Sequence, residues 1–226
     1  MLFNHVEFFD FVEFILEKPN RLILLNGDII NNNLTNSAGS PFDDIISPND
    51  QKKEAVRMLL PLRERTLVLT GGNHEGRTKK NAGIDVSEEM AEKLGVPYSE
   101  DEALLKIAIG QRPNKKKFIY TLYMTHGHGG GKRPGSKLNN LEDLGKNILA
   151  DIYIVGHGHS RIGYKPMFRV PDLRNGKITE TDQLFTMSAG WLKYGGYPVR
   201  KMMRPQKRGA HPVTIYGTHK EATTTI

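Results

Sequence analysis

The sequence predicts an α/β protein in which sheets and helices form layers. Two observations predict this class. Short apolar runs of the kind found in buried strands alternate along the chain with segments of helical periodicity. Four of these runs lead directly into glycine and a group of Asp, Asn or His residues, as buried strands do when they deliver side chains to one sheet edge. The 226 residues fit one domain, which we place at 1–226, with a core over about 20–190 and a basic tail over 200–226.

In the first third of the chain, residue spacing predicts two helices and two strands. Apolar residues at helical spacing predict a first helix that Pro19 ends. A polar, turn-rich loop over 31–48 precedes the second helix, for which Asp50 is a candidate N-cap. The four predicted elements are a helix over 6–17, a strand over 21–26, a helix over 51–61 and a strand over 65–70.

The rest of the chain continues the alternation. Residues 77–83 are predicted to be a flexible basic loop, followed by a helix that starts at Asp85 and ends near Gly95. Residues 103–109 favour a strand, although the acidic residues just before them also fit a helix cap. The later elements are a hairpin of strands 103–109 and 118–125, a helix over 138–149, a strand over 151–155, and strand-like pieces over 183–187 and 213–216.

Composition excludes several classes of protein. Hydrophobic residues make up 38% of the chain and charged residues 25%, which is typical of a globular protein rather than a disordered one. No apolar run has the length of a membrane span and the first residues lack a signal-peptide pattern, so we expect a cytoplasmic protein without a membrane partner. Because there are no cysteines, imidazole, carboxylate and amide groups are the available metal ligands.

The net charge of +7 has two interpretations. Much of the excess lies in Lys115–Lys117, in Lys132 and Arg133, and between Arg200 and Arg208. Such clusters are compatible with a phosphate-rich partner such as DNA or RNA. They are also typical of solvated loops and a basic tail, and few aromatic residues lie among them to stack on bases. Charge alone therefore supports nucleic-acid binding only weakly.

Polar residues follow four of the predicted strands at the point where each strand ends. Taken singly, an Asp after a Gly is most often a turn residue, and a lone His is most often structural. Two imidazoles separated by one small residue, as in Gly156–His159, are a stronger signal. Because ligands bind at the carboxyl ends of strands in open α/β sheets, the recurrence predicts a metal site. Its candidate ligands are Asp28, Asn73, His126, His157 and His159.

In this order, these motifs resemble those of the calcineurin-like metallophosphoesterase superfamily. The matching motifs are Gly27-Asp28-Ile29-Ile30-Asn31, Gly72-Asn73-His74-Glu75, His126 and Gly156-His157-Gly158-His159. The resemblance covers roughly residues 20–160 and the combination is highly specific. It implies a layered β-sandwich flanked by helices, and an enzyme that hydrolyses a phosphodiester or phosphomonoester with a metal-activated water.

The resemblance also implies a role for each site residue. Asp28 would bridge two metal ions and His159 would bind the first of them, while His74 would protonate the leaving oxygen instead of binding metal. The second metal would take Asn73, His126 and His157. The cofactors would be two divalent transition-metal ions, or only one in this chain; a nitrogen and oxygen shell suits Mn, Fe, Zn or Ni, and manganese is favoured.

Substrate contacts are weaker predictions. Asn31 is a candidate because it lies in the first motif. Arg77 and Lys132 are candidates for contacts with substrate phosphate, although an arginine or lysine at such a position is more often an ordinary loop cation. The basic loops favour a phosphodiester. The run Asn31–Asn33 replaces the Asp-Arg-Gly of protein serine/threonine phosphatases, which counts against a phosphoprotein substrate.

One family motif is missing. An Asp-x-His is expected on a strand about thirty residues ahead of Gly27, and the sequence has none there. One expectation is that the first strand is absent because of a late-assigned start codon or a truncated sequence. The other is a naturally shortened relative that binds one metal or is inactive. The alternative function is accordingly a catalytically impaired scaffold or binding protein with the same fold.

Overall fold

A computed structural model describes residues 3–37, 39–129, 131, 133–195, 199, 202 and 204–225. It confirms the predicted mixed α/β class. Among the described residues there are five helices, α1 (His5–Leu16), α2 (Pro48–Leu59), α3 (Gly76–Ala82), α4 (Val86–Leu94) and α5 (Pro134–Asn147). The strands are β1 (Ile23–Asn26), β2 (Thr66–Thr70), β3 (Tyr98–Ser99), β4 (Glu102–Ile109), β5 (Phe118–Thr125), β6 (Ile152–Val155), β7 (Ile162–Tyr164), β8 (Met167–Asp172), β9 (Lys177–Asp182), β10 (Leu184–Met187), β11 (Val213–Ile215) and β12 (Ala222–Thr224).

The contacts divide the chain into two compact units. The first unit takes its described residues from Met1–Ala103, Thr125–Gly127 and Trp191–Gly209. The second takes them from Leu104–Met124, His128–Gly190 and Ala210–Ile226. The prediction that the whole chain is one domain stays a prediction.

The first unit is built on a parallel sheet of β1, β2 and β3, in that order. Strand β1 pairs with β2 so that Asn26 lies opposite Thr70. Helix α1 covers this unit with an apolar face that includes Phe8 and Val12 and packs with Leu69 of the central strand. Parallel strands in register end at the same edge of their sheet. The residues that follow Asn26 and Thr70 are therefore brought to that edge.

The second unit contains a sheet with the strand order β4-β5-β6-β10-β7. Strands β6 and β10 are parallel, whereas β10 and β7 are antiparallel. Its core is aromatic: the rings of Tyr153 and Phe185 stack with centroids 4.3 Å apart, and Leu141 of α5 is fully buried in the same cluster. Strands β4 and β5 are neighbours, which confirms the predicted hairpin and excludes the helix that the acidic residues before it also fitted.

A C-terminal hairpin of β11 and β12 belongs to the second unit, within the segment predicted to be a basic tail. The hydroxyl of buried Tyr120 lies 2.7 Å from the carbonyl oxygen of Tyr216 and 2.9 Å from that of His219, and it accepts the main-chain N–H of Glu221. Ala222 is buried. Part of the predicted tail is therefore packed structure.

Several local predictions were wrong. Residues 77–83, predicted to be a loop, form most of helix α3, which Gly83 ends in a left-handed conformation (φ 69°). Helix α2 starts earlier than predicted because Ser47, not Asp50, is its N-cap: the Ser47 hydroxyl accepts the Asp50 N–H. Helix α5 also starts earlier, with Pro134 in its first turn, where a missing N–H costs nothing.

Other predictions were confirmed or incomplete. Asp85 caps α4 by accepting the N–H groups of Ser87 and Glu88, and Gly95 ends that helix, as predicted. The hairpin of β8 and β9 was missed because its side chains are mostly exposed and show no buried alternation. No helix in the described parts of the chain combines the length and apolar character needed to cross a membrane.

Candidate metal centre

The first site residue, Asp28, follows β1 in a turn whose backbone packs closely against that of Gly71. Gly27 has φ 65°, and a Cβ added there would lie 2.4 Å from the carbonyl oxygen of Gly71. Asp28 itself has φ 50°, a left-handed conformation that costs free energy in a residue with a side chain. The turn therefore requires glycine at 27 and contacts that hold Asp28 in place.

The two carboxylate oxygens of Asp28 have different surroundings. Oδ1 accepts the main-chain N–H of His74 at 2.9 Å. Oδ2 is buried and has no hydrogen-bond partner among the described residues, although it lies 3.3 Å from Nε2 of His126 and 3.6 Å from Nε2 of His74. Burial raises the pKa of Asp28, but the neighbouring imidazoles outweigh it and lower that pKa to about 2. The carboxylate is therefore ionised.

The ring of His126 is oriented by a main-chain contact. Its Nδ1 lies 2.7 Å from the carbonyl oxygen of Asn26, and because a carbonyl can only accept, Nδ1 carries a proton. Nε2 lies 3.0 Å from Oδ1 of Asn73. Burial lowers the pKa of His126, and Asp28 raises it by more, so that the net shift is upward. In the neutral ring, Nε2 presents a lone pair toward the oxygens of Asp28 and Asn73.

These three groups fit a divalent metal ion. Oδ2 of Asp28 and Oδ1 of Asn73 are electron-pair donors, and Nε2 of His126 becomes one when it gives up its proton; both oxygens lie within 3.3 Å of this nitrogen. Imidazole, carboxylate and amide oxygen suit transition metals of the manganese-to-zinc series. Ligand atoms bound about 2.1 Å from one ion at right angles lie about 3 Å apart, which matches the separations seen here. The His126-to-carbonyl contact is the usual outer support of a ligating histidine.

Asn26, the last residue of β1, links His126 to the parallel sheet by hydrogen bonds. Its carbonyl accepts from His126, its Oδ1 accepts the hydroxyl of Thr70, and its Nδ2 donates to the carbonyl of Thr125. One residue therefore connects β1, β2 and the chain that leads into His126. A polar residue at the end of an apolar strand is a sequence signal for this role, although Asn26 was not among the predicted site residues.

A second layer of polar groups lies behind the Asp28 turn. Glu75 is buried, with Oε2 and Oε1 accepting the main-chain N–H groups of Asp28 and Ile30, each at 3.0 Å. Burial raises the pKa of Glu75, the charge of Asp28 raises it further, and the pKa is about 7. Gln51 Oε1 accepts from the main-chain N–H of Asn31 and of Asn32. Sequence reasoning gave neither Glu75 nor Gln51 a role, because their partners are main-chain groups distant in sequence.

The predicted ligands His157 and His159 lie in the second unit, just after β6. Both have left-handed backbones, with φ 50° and φ 46°. The ring of His157 stacks near that of exposed His128, with centroids 6.3 Å apart, and a Cβ at Gly190 would lie 3.3 Å from Nδ1 of His159. Lys137 Nζ donates to the carbonyl of Gly158 at 2.6 Å and to the hydroxyl of Ser160 at 2.6 Å, which holds the loop between the two histidines.

The predicted substrate contacts have partners within the protein. The Asn31 side chain donates to Asp44 Oδ1 at 2.7 Å. Nη1 of Arg77 donates to the carbonyl oxygen of Asn31 at 3.0 Å and lies within 3.4 Å of that of Asn32, so the guanidinium supports the loop after Asp28. Lys132 lies outside the described residues. Substrate contacts from these residues stay predictions.

Comparison with known proteins gives one family. The family model described as calcineurin-like phosphoesterase matches residues 3–175, well over half of the chain. The matched range includes Asp28, Asn73, His126 and the His157–His159 pair. A search of curated proteins found no similar sequence.

Proposed function

The chain belongs to the calcineurin-like phosphoesterase family, and from that premise we propose that it is a metal-dependent hydrolase of phosphate esters, with a phosphodiester favoured over a monoester. The observation that carries the proposal is the convergence of three potential metal ligands: Asp28 Oδ2 and Asn73 Oδ1 both lie within 3.3 Å of His126 Nε2. Members of the family bind divalent metal ions. In this protein, those three groups would hold one.

The remaining ligands come from the motifs. We propose that His157 joins Asn73 and His126 on one ion, that His159 binds the other, and that Asp28 bridges the two. Bound there, divalent ions would polarise a phosphoryl group and activate water at neutral pH. Manganese is our preferred metal, and two ions our preferred number.

His74 is proposed as the proton donor. Its main-chain N–H is fixed to Asp28 Oδ1, and its Nε2 lies 3.6 Å from Asp28 Oδ2. The side chain is one-quarter exposed, so it borders the site while remaining open to solvent. A protonated imidazole in that position stabilises negative charge on the phosphate and delivers a proton to the departing oxygen.

The test is hydrolysis of bis-p-nitrophenyl phosphate, p-nitrophenyl phosphate and single- or double-stranded DNA in the presence of Mn²⁺. We expect turnover of the diester, its loss in EDTA, and at least a hundredfold lower kcat in His74→Ala, in line with removal of a general acid. The control is His5→Gln, which changes an exposed histidine on α1. Turnover that is insensitive to EDTA and to His74→Ala would contradict the proposal. The DNA substrates test the further proposal, motivated by the +7 net charge, of a nucleic-acid substrate.

The alternative is a catalytically impaired binding or scaffold protein with the same fold. It predicts at most one metal ion per chain and no change in any residual rate with His74→Ala. Elemental analysis of purified protein separates the two: a metal content near two per chain contradicts the scaffold function. A cytoplasmic location stays a prediction.

A further inference from the structure

Glu75 directly follows His74, yet its side chain points away from solvent and into the turn that carries Asp28. The residue is 2% exposed. One carboxylate oxygen accepts the N–H of Asp28 and the other accepts the N–H of Ile30. Main-chain N–H groups arranged around one anion in this way form a small anion-binding concavity. Here the side chain of Glu75 occupies that concavity.

The geometry around Glu75 leaves little room for any other arrangement. A Cβ at Gly72 would lie 2.6 Å from Glu75 Oε2 and 2.1 Å from the main-chain nitrogen of Asp28. The carboxylate is therefore enclosed between Gly72 and the turn. Asp28 holds a left-handed conformation (φ 50°), which persists only when its surroundings determine it. The two hydrogen bonds from the N–H groups of Asp28 and Ile30 to Glu75 supply that constraint.

We propose that Glu75 is a positioning residue that fixes the Asp28 turn and thereby sets the affinity of the metal centre. The inference rests on the proposed metal-binding function. It requires both carboxylate oxygens, because two N–H donors need two acceptors. Glutamine has the same length but only one acceptor oxygen, and its NH₂ group would face an N–H. Aspartate has two acceptors but is shorter by one methylene and cannot reach both donors.

The experiment compares Glu75→Gln and Glu75→Asp with the unmodified protein by calorimetric titration of Mn²⁺. We expect both variants to bind Mn²⁺ about 10–100-fold more weakly, the range typical of lost support behind a metal ligand. Saturating Mn²⁺ should restore kcat toward that of the unmodified protein, since His74 and the ligands are still present. The matched control is Glu92→Gln, which makes the same side-chain change at an exposed position on α4.

Amide hydrogen exchange in EDTA provides a readout that needs neither metal nor activity. Peptides covering residues 27–30 should exchange at least tenfold faster in Glu75→Gln than in Glu92→Gln. In the unmodified protein, the amides of Asp28 and Ile30 should be protected from exchange. This measurement tests their hydrogen bonds to Glu75 even if a variant does not fold. Unchanged exchange with unchanged Mn²⁺ affinity would overturn the inference. Failure of the unmodified protein to hydrolyse any phosphate ester would instead count against the proposed function, and the exchange result would still decide the role of Glu75.

Discussion

Nε2 of His126 lies 3.3 Å from Oδ2 of Asp28, and Oδ2 has no hydrogen-bond partner among the described residues. A buried carboxylate oxygen without a partner is costly unless a cation lies nearby. We therefore expect His126→Gln to weaken Mn²⁺ binding at least about tenfold, because it removes the ring nitrogen that lies next to Asp28 Oδ2. Calorimetric titration with Mn²⁺ measures the change.

The control for this variant is His5→Gln, since His5 is exposed on α1. It should bind Mn²⁺ like the unmodified protein. Equal Mn²⁺ affinity in His126→Gln and His5→Gln would show that His126 is a structural histidine.

Two glycines near the site allow a matched comparison. A Cβ at Gly72 would lie 2.1 Å from the Asp28 nitrogen and 2.5 Å from its Oδ1, whereas a Cβ at Gly76 would meet nothing within 4 Å. We expect Gly72→Ala to displace Asp28 and lower the free energy of unfolding by about 1–3 kcal/mol. Gly76→Ala, in the first turn of α3, should raise it by up to about 1 kcal/mol.

Urea denaturation and Mn²⁺ titration of both glycine variants check this expectation. Gly72→Ala should lose metal affinity as well as stability, while Gly76→Ala should keep its metal affinity. A Gly72→Ala protein with normal stability and normal Mn²⁺ binding would contradict the packing described for the Asp28 turn.

Residues at strand ends could be predicted from the sequence, whereas buried polar residues that bond to a distant turn could not. The closeness of Asp28, Asn73 and His126 could be predicted because each lies within three residues of the end of an apolar strand, and strand ends are set by local pattern. Glu75 and Gln51 could not be given roles, since both bond to main-chain groups of a turn remote in sequence. Burial of a polar side chain depends on tertiary packing, which residue spacing does not specify.

The same limit applies to the secondary structure. The strands β2, β5 and β6 were close to their predicted bounds because they are apolar and buried. Helix α3 was missed because none of its residues is buried and its composition is polar and basic. Its position depends instead on tertiary contacts such as the hydrogen bond between Thr78 and Asn32. Amphipathic patterns identify helices that bury one face against a core, and α3 has no buried face.

The cap of helix α4 predicts a dependence of stability on pH. Asp85 accepts two main-chain N–H groups and contacts Lys79 and Tyr98. Burial raises the pKa of Asp85, but these partners outweigh it and hold the pKa below its ordinary value of 3.8. Asp85→Ala should therefore lower the free energy of unfolding at pH 7 by about 1–2 kcal/mol, a typical value for an N-cap.

The sign of the pH effect follows from the lowered pKa. Above pH 3.8 the carboxylate is ionised in both folded and unfolded chains, so its contribution is fully present. The contribution is lost as the pH falls through the lower pKa of the folded state. The stability difference between the unmodified protein and Asp85→Ala should narrow only in that acidic range. Asp10→Ala, at an exposed position on α1, should show no such narrowing.

The hydroxyl of Tyr120 predicts how the C-terminal hairpin is held. It contacts the main chain of Tyr216, His219 and Glu221. Tyr120→Phe leaves buried polar groups without their partner and should lower stability by about 1–3 kcal/mol. Exchange of the amides of β11 and β12 should accelerate. Tyr164→Phe, which removes an exposed hydroxyl bonded to Glu142, should cost less than about 1 kcal/mol. Equal effects of the two substitutions would contradict a special role for Tyr120.

Lys137 offers the test of the second histidine pair. Its ammonium donates to the Gly158 carbonyl and to the Ser160 hydroxyl, and burial lowers the pKa of Lys137. Because Gly158 separates His157 from His159, this contact holds the conformation of both proposed ligands. Lys137→Met keeps the aliphatic stem but removes the donor. We expect about tenfold weaker Mn²⁺ binding, in the range typical of lost outer support.

The matched variant is Lys146→Met on the same helix, where the lysine is exposed and pairs with Asp143. It makes the same chemical change without touching the loop, so its Mn²⁺ affinity should equal that of the unmodified protein. Hydrogen exchange should also accelerate over residues 157–160 in Lys137→Met only. If Lys137→Met and Lys146→Met bind Mn²⁺ equally well, then the loop keeps its conformation without the lysine. The left-handed backbones of His157 and His159 would then be determined by the glycines between and beside them.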